Sequence, residues 1–507
     1  MHAFKLKAAV SAMALLAAAP ALADVTAQQV WDDWKAQMGV YGESAVTIGS
    51  ETYENGVLTV TDLGFDVTGE DGSTATGNLP QLVFTENGDG TVGVTMSEEY
   101  PITISTPADA STGSEASDVA LALRQNGLQM KVSGNPGALT YDVSAARYAI
   151  ELDSVKEAGT EVPAEALLAF NDLSGTYTST TGAMRDVTYD LAAASMDLLL
   201  DATNPEDGSH VMLSGKVNQV ATQATVTMPL DPAADPEMMV MNGLAMQGGY
   251  TTAGGQYIFE FTDASGPTNG TFSTAGSALN FQFSKDSLAY DSSATGVALQ
   301  ATSAAMPIPL DATIGEYGVK FQMPLSKTGA PAPWAAGLTL RDLALNDEVW
   351  QMFDPQGVLP HDPATVAVDL SGTATMLFDA MDPAQAEAMA SAPMPAQLNS
   401  VDINEFNVTF GGASVTGTGS FTLDNNDLTT FPGMPKPTGS VDLQLNGVKA
   451  LISNLATMGL LPQDQVMIGL GMLGAFATEV GPDQLTSHIE ATQDGQLLVN
   501  GNPMPMQ

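Results

Sequence analysis

Thr52-Tyr53-Glu54-Asn55-Gly56-Val57-Leu58-Thr59-Val60-Thr61-Asp62-Leu63-Gly64-Phe65-Asp66-Val67 decides the fold class. Asn55-Gly56 suits a two-residue hairpin, whose central positions both need positive φ. Val57–Thr61 follows as a strand. Leu63, Phe65 and Val67 then alternate with Gly64 and Asp66, the period of a strand with one apolar face. Asp71-Gly72 and Asn87-Gly88-Asp89-Gly90 mark further turns, so β pattern extends from Glu43 to about Val162. One helix precedes it. Thr26-Ala27-Gln28-Gln29 has capping-box spacing, Val30, Trp31, Trp34 and Met38 share a face, and Gly39 ends it. Pro163–Phe170 reads as a short helix with proline in its first turn.

The middle of the chain repeats itself. Gly175-Thr176-Tyr177 recurs as Gly270-Thr271-Phe272, Tyr189-Asp190 as Tyr290-Asp291, and Met228-Pro229-Leu230 as Met323-Pro324-Leu325. Tyr141-Asp142 is a partial third copy. This predicts two related β units, 171–230 and 266–325, around a helical Met-rich insertion near Pro236–Met246. Repeated sheet units predict lengthwise growth. Residues 329–337 read as a linker or corner.

Further on, Val401 and Ile403 alternate, then Phe406, Val408 and Phe410 resume one residue out of phase, as at a β-bulge. Val441, Leu443 and Leu445 mark another strand. Within Lys449–Val480, Leu451, Ile452, Leu455 and Met458 fit one helix face, Gly459 and Pro462 break it, and Val466, Leu470, Leu473 and Ala477 line a second helix. Asp494-Gly495 turns a final hairpin. The expected fold is mainly β: extended, twisted antiparallel sheet built from repeated units, with an N-terminal helix and a C-terminal helical hairpin at 449–480. The expected divisions are 24–170, 171–330 and 331–507.

The chain has 58 acidic and 15 basic residues, a net charge of −43. That disfavours nucleic acid, which needs cations to displace counterions, and docking on anionic lipid heads. With no cysteine, disulfides, thiol catalysis, Cys-zinc sites and iron–sulfur clusters are excluded. Lys5 and Lys7, the apolar run Ala8–Ala19 and Ala21-Leu22-Ala23 read as a cleaved secretory signal, residues 1–23. The run is too short for a membrane span, and Gln463-Asp464-Gln465 divides the later helices, so no transmembrane anchor is expected after cleavage.

Chemistry-bearing motifs are sparse. His210, His361 and His488 are far apart in sequence. Gly469-Leu470-Gly471-Met472-Leu473-Gly474 matches G-x-G-x-x-G but sits in a predicted helix with no preceding strand, so it is no dinucleotide site. Phosphate-loop and nucleophile-elbow motifs are missing from the sequence. The turns Glu86–Gly90 and Asp424–Asp427 carry oxygen ligands suited to calcium but match no EF-hand. The expectation is a non-enzymatic chain with no catalytic, metal or cofactor residues. Candidate ligand or partner residues are Trp350 and Phe353, in a corner ending near Pro363, and Leu470, Leu473 and Phe476, in a hairpin that either caps the sheet or closes over an apolar groove.

LALNDEVWQMFDPQGVLPHDPATVAVDLSG (Leu343–Gly372) carries the most specific resemblance. With PTGSVDLQLNGVKALISNLATMGLLPQDQ, LTSHIEATQDGQLLVNG and ADVTAQQVWDDW, it resembles the alphaproteobacterial periplasmic family catalogued as domain of unknown function 2125, over nearly the whole chain after Ala23. The resemblance implies export to the periplasm and no assigned activity, so no catalytic residues carry over. More loosely, the β pattern is similar to AsmA-like and YdgA-like envelope proteins, a likeness of fold that proves no function. The leading expectation is an envelope protein holding a lipid or apolar ligand along a β groove. The alternatives are an interaction factor in envelope assembly and, more remotely, a secreted hydrolase. Low aromatic content, Gln507 and the helices argue against an outer-membrane barrel.

Overall fold

The computed structural model describes residues 24–38, 45–69, 71–109, 114–230, 238–306 and 308–504. The expected signal, Gly39 and Pro236 lie outside them. β1 (Val46–Glu54) and β2 (Val57–Thr68) form the predicted hairpin, with Asn55 and Gly56 both at positive φ. β3 (Thr74–Glu86) pairs β2 on one edge; its other edge takes both β4 (Val92–Met96) and β5 (Glu99–Thr106). β6 (Ser117–Asn126) pairs β5, β7 (Gln129–Asn135) pairs β4, and both meet the long β8 (Ala138–Glu157). The sheet thus forks after β3 and rejoins at β8. The short β9 (Thr160–Val162) folds back on β8, and β10 (Ala164–Thr181), β11 (Arg185–Thr203) and β12 (His210–Met228) continue as a meander.

The fork then recurs. β13 (Ala245–Thr252) and β14 (Gly255–Asp263) share β12, β15 (Gly266–Thr274) pairs β14, β16 (Gly276–Phe283) pairs β13, and both tracks rejoin at β17 (Ser287–Ser303). A plain meander follows through β18 (Leu310–Pro324), β19 (Ala332–Leu345), β20 (Ala364–Met376), β21 (Ala396–Phe410), β22 (Ala413–Asp424) and β23 (Lys436–Asn446). β24 (Thr478–Gly481) lies against β25 (Gln484–Ala491), which also pairs β23 and β26 (Leu497–Val499); β27 (Asn502–Pro503) pairs β26. All 27 strands of the described residues join one antiparallel sheet. Among the described residues five α-helices accompany it: α1 (Ala27–Met38), α2 (Asp347–Phe353), α3 (Ala386–Ser391), α4 (Val448–Thr457) and α5 (Gln463–Phe476).

The repeat differs from the expected one. β3–β8 and β12–β17 have the same forked connections, which puts Tyr141-Asp142 on β8 and Tyr290-Asp291 on β17 at equivalent stations. The units 171–230 and 266–325 share only their closing strand pair. Tyr177 faces Tyr189, whereas Phe272 faces Leu299, because β15 and β16 divide β17 between them. Pro163–Phe170 is not a helix: β10 begins at Ala164 and is hydrogen-bonded on both edges, to β8 and β11, with Ala166, Leu168 and Phe170 in strand alternation. The Met-rich segment forms turns from Met238 to Gly243, where positive φ ends them, and β13 starts at Ala245. Position 170/171 falls inside β10, and 329–331 leads into β19. The phase slip at Ile403/Phe406 is a register shift between β21 and β22, as expected of a bulge.

The main core lies at the N-terminal end. Thr26 Oγ1 accepts the Gln29 N–H and Gln29 Oε1 accepts the Thr26 N–H, closing the predicted capping box. α1 then presses Val30 and Trp31 onto Leu58, Val60, Leu82 and Phe84, with Trp34 and Met38 packed alongside. Beyond it burial is thin. Among the described residues from 218 to 323, Val297 is the one buried apolar side chain.

Candidate functional site

Strand register places one continuous row of residues across the sheet. Val92, Val132, Tyr141, Tyr177 and Tyr189 are successive cross-strand partners, with ring centroids 5.0 Å and 5.1 Å apart along the three tyrosines. The row continues through Ala224, Gly248, Phe281, Tyr290 and Phe321. From Ala336 it passes to Leu370, Ile403, Gly419, Val441, Ile489 and Val499. Directly opposed residues share a face, as do residues two apart on a strand. The neighbouring rows carry Val187, Met246, Phe283 and Met323 on one side and Tyr250, Val319, Leu338 and Val368 on the other. On this row and the two rows to either side, across β11–β13, β16–β23 and β25, Arg185 is the one charged strand residue; at the far edge Glu479 of β24, opposite Leu485, pairs with Lys449.

The opposite face takes the charges. Lys320 pairs with Asp369 at 3.3 Å, Arg341 with Glu316 and Glu405, and Gln223 donates to Asp190. A depression of about 860 Å³ on that side is lined by Thr225, Gln247, Asn280 and Gln282. The apolar face stays open: Tyr189, Tyr250, Tyr290, Phe321, Tyr317 and Leu338 are 38–45 % exposed. Exposed aromatic and aliphatic groups in one contiguous patch make this face a candidate binding surface.

At the α1 end this face deepens into a recess of about 530 Å³. It is lined by Trp34, Met38, Met130, Val143 and Val187 together with the polar groups of Gln37, Tyr177 and Arg185. Trp34 Nε1 donates to the Tyr141 hydroxyl at 3.1 Å, and the Tyr177 hydroxyl donates to Gln37 Oε1 at 3.0 Å. Burial pushes both phenols above their ordinary pKa, so they stay protonated donors.

The residues singled out from sequence lie on another rim. Trp350 is buried, stacked on His361 at 4.2 Å and packed beside Phe353 and Phe410. It is therefore a packing residue with little surface for a partner, while Phe353 remains 44 % exposed. Asp354 holds the corner: its carboxylate accepts the Leu359 and Val358 N–H groups, which, with His361 nearby, keep its pKa below the usual carboxylate value. Leu359 and α4 Leu451 both lie against the Gly411-Gly412 turn. The Asp483 carboxylate accepts the first N–H groups of α4, and the Phe476 carbonyl accepts from Ser487 and Asn500. On α5, Val466 is buried, Leu473 and Phe476 are half-buried, and Leu470 is exposed. Met467, Ile468 and Met472 are more exposed still, so α5 is apolar on several sides instead of along one stripe. Of the three glycines in the G-x-G-x-x-G string, only Gly469 meets α4, at Ile452; Gly471 and Gly474 face open space.

The acidic turns are satisfied internally. Asp89 accepts from Thr91, and Asp427 from Thr429 and Thr430, which lowers both carboxyl pKa values. Each of the three histidines among the described residues has its own aspartate: His210 with Asp201, His361 with Asp354, His488 with Asp442. Sequence reading missed Arg185 and the tyrosine row. The recurring Tyr-Asp dipeptides were the available signal, since all three lie on that row. No helix among the described residues is long and apolar enough to cross a membrane. Residues 253–504 match a family described as an uncharacterized protein conserved in bacteria (DUF2125). No curated protein and no solved structure matches the chain.

Proposed function

Since the chain belongs through residues 253–504 to the bacterial DUF2125 family, and that span carries most of the open apolar face, we propose a non-enzymatic envelope protein that binds lipid acyl chains along its sheet. The observation carrying this reading is the near-absence of charge on one half-exposed face from β11 to β25. An acyl chain laid there loses about half of its water contact. At ~0.8 kcal/mol per fully buried methylene, a sixteen-carbon chain gains roughly 6 kcal/mol. The opposite face, rich in hydroxyls, amides and paired charges, keeps the ribbon hydrated. The proposed compartment is the periplasm, reached through the signal at 1–23, and cell fractionation tests it.

Native mass spectrometry of the purified protein tests lipid binding. The expected result is acyl-lipid adducts, reduced at least tenfold in a Tyr290→Ser, Phe321→Ser, Leu338→Ser variant with unchanged circular dichroism. A lipid-free wild type that also fails to take up added palmitoyl glycerol overturns the reading. The exposed apolar surface of α5 favours a second role, contact with an envelope partner. A photo-crosslinker at position 467 separates the two: lipid products support the first reading, one recurring protein product the second.

A further inference from the structure

Building on the lipid-binding reading, we propose that Arg185 anchors the anionic head of the bound amphiphile, a carboxylate or phosphate, in the recess beside α1, with the chain running from there across the sheet. Three observations converge. Arg185 is the one charge on the central rows of the apolar face from β11 to β23. It lines the recess of about 530 Å³ with Trp34, Met38 and Tyr177. Among the described residues it also differs from the other arginines. Arg124 pairs with Glu99, Glu151 and Asp153, Arg147 with Glu151, and Arg341 with Glu316 and Glu405, whereas Arg185 has no acid within ion-pair distance.

A half-buried guanidinium on an apolar surface favours an anion that brings its own apolar body, because both parts are then desolvated by matching surfaces. The planar fork suits a carboxylate or phosphate with two parallel hydrogen bonds. Gln37 and Tyr177 line the same recess. Asp33 of α1, which also acts on the Tyr141 and Tyr177 hydroxyls, is engaged by Gln37 Nε2 at 2.7 Å. The protein's net charge of −43 repels anionic surfaces, but salt screens that field over ~8 Å, so a local contact at Arg185 outweighs it for one buried headgroup. Asp231, Asp235 and Glu237 follow β12, whose Met228 is registered against Arg185; they lie outside the described residues. An Arg185 already neutralised by them would show no preference for an anionic ligand.

The test is tryptophan quenching of the full chain by dibromostearate and by its methyl ester, with the Trp34 contribution taken as the difference from Trp34→Phe. The acid is expected to bind about tenfold more tightly than the ester. Arg185→Gln should abolish that preference and leave ester affinity unchanged, and Arg185→Lys should retain part of it. Equal affinities for acid and ester in the wild type, or an undiminished preference in Arg185→Gln, overturn the headgroup assignment and leave the lipid reading standing. If neither compound quenches, the lipid reading itself fails. Inorganic phosphate or acetate alone should not displace the acid; displacement by either makes this a plain anion site and overturns the proposal. A brominated lysophosphatidate compared with the fatty acid then distinguishes phosphate from carboxylate, either preference being consistent with Arg185 as anchor.

Discussion

Asp354 shows how one side chain holds a whole corner. Its carboxylate receives the N–H groups of Leu359 and Val358, and His361 Nε2 stands 3.5 Å away while its ring stacks on Trp350. These donors favour the charged form, so folding lowers the pKa of this acid. A depressed folded pKa gives stability that is fully present above the unfolded value, near about 3.9 for aspartate, and is lost as pH falls through the lower folded value. The expected outcome is a local transition below about pH 4, seen as a change in Trp350 emission and absent from a Trp350→Phe control. Asp354→Asn should remove that acid transition by removing the titrating group. If the Trp350 signal titrates identically in Asp354→Asn, another group holds the corner.

At the scale of elements, α5 is the exception. Surface helices present one apolar stripe to a core, but α5 exposes Met467, Ile468 and Met472. Replacing exposed groups costs little, usually within about 0.5 kcal/mol. Met467→Gln with Ile468→Gln should therefore leave the urea midpoint nearly unchanged while lowering retention on a phenyl-agarose column. A large loss of stability would show instead that α5 is covered. The sequence predicted both helices of this hairpin, because Gly459 and Pro462 are local punctuation, but it predicted an ordinary stripe for the second. Asn55-Gly56, the capping box at Thr26 and the bulge after Ile403 were legible for the same reason: each is written within a few residues. β10 was misread because Ala, Leu and Phe after a proline fit either period, and only the two long partners on its edges decide for a strand. The forks at β3 and β12 depend on partners tens of residues away. Arg185 was illegible in another way. Beside Asp186 it reads as one of two charges on a polar turn, and its isolation emerges only when twelve strands are set in register.

Across the whole molecule, stability is distributed unevenly, and this separates a folded anchor from a binding surface. The α1 core buries Trp31, Phe84, Leu58 and Tyr141, whereas the strands of the second fork rest mainly on neighbour-to-neighbour pairing, as in quasi-one-dimensional folds. Apolar groups left half-exposed there contribute only part of their burial energy to folding, and the remainder is available to a ligand. Phe84→Ala should cost about 3–5 kcal/mol by leaving a cavity in the core, and it should lower the more stable transition in urea. Phe321→Ala, at a site 41 % exposed, should cost less than half as much. Hydrogen exchange should be slowest in β2–β4 and β7–β8 and faster in β13–β18. A ligand that binds the folded sheet raises stability with its concentration, so bound lipid should slow exchange in β13–β18 and leave the α1 core unchanged. Uniform protection across both regions, with or without lipid, would mean that the apolar face is already covered and that the division between anchor and binding surface is wrong.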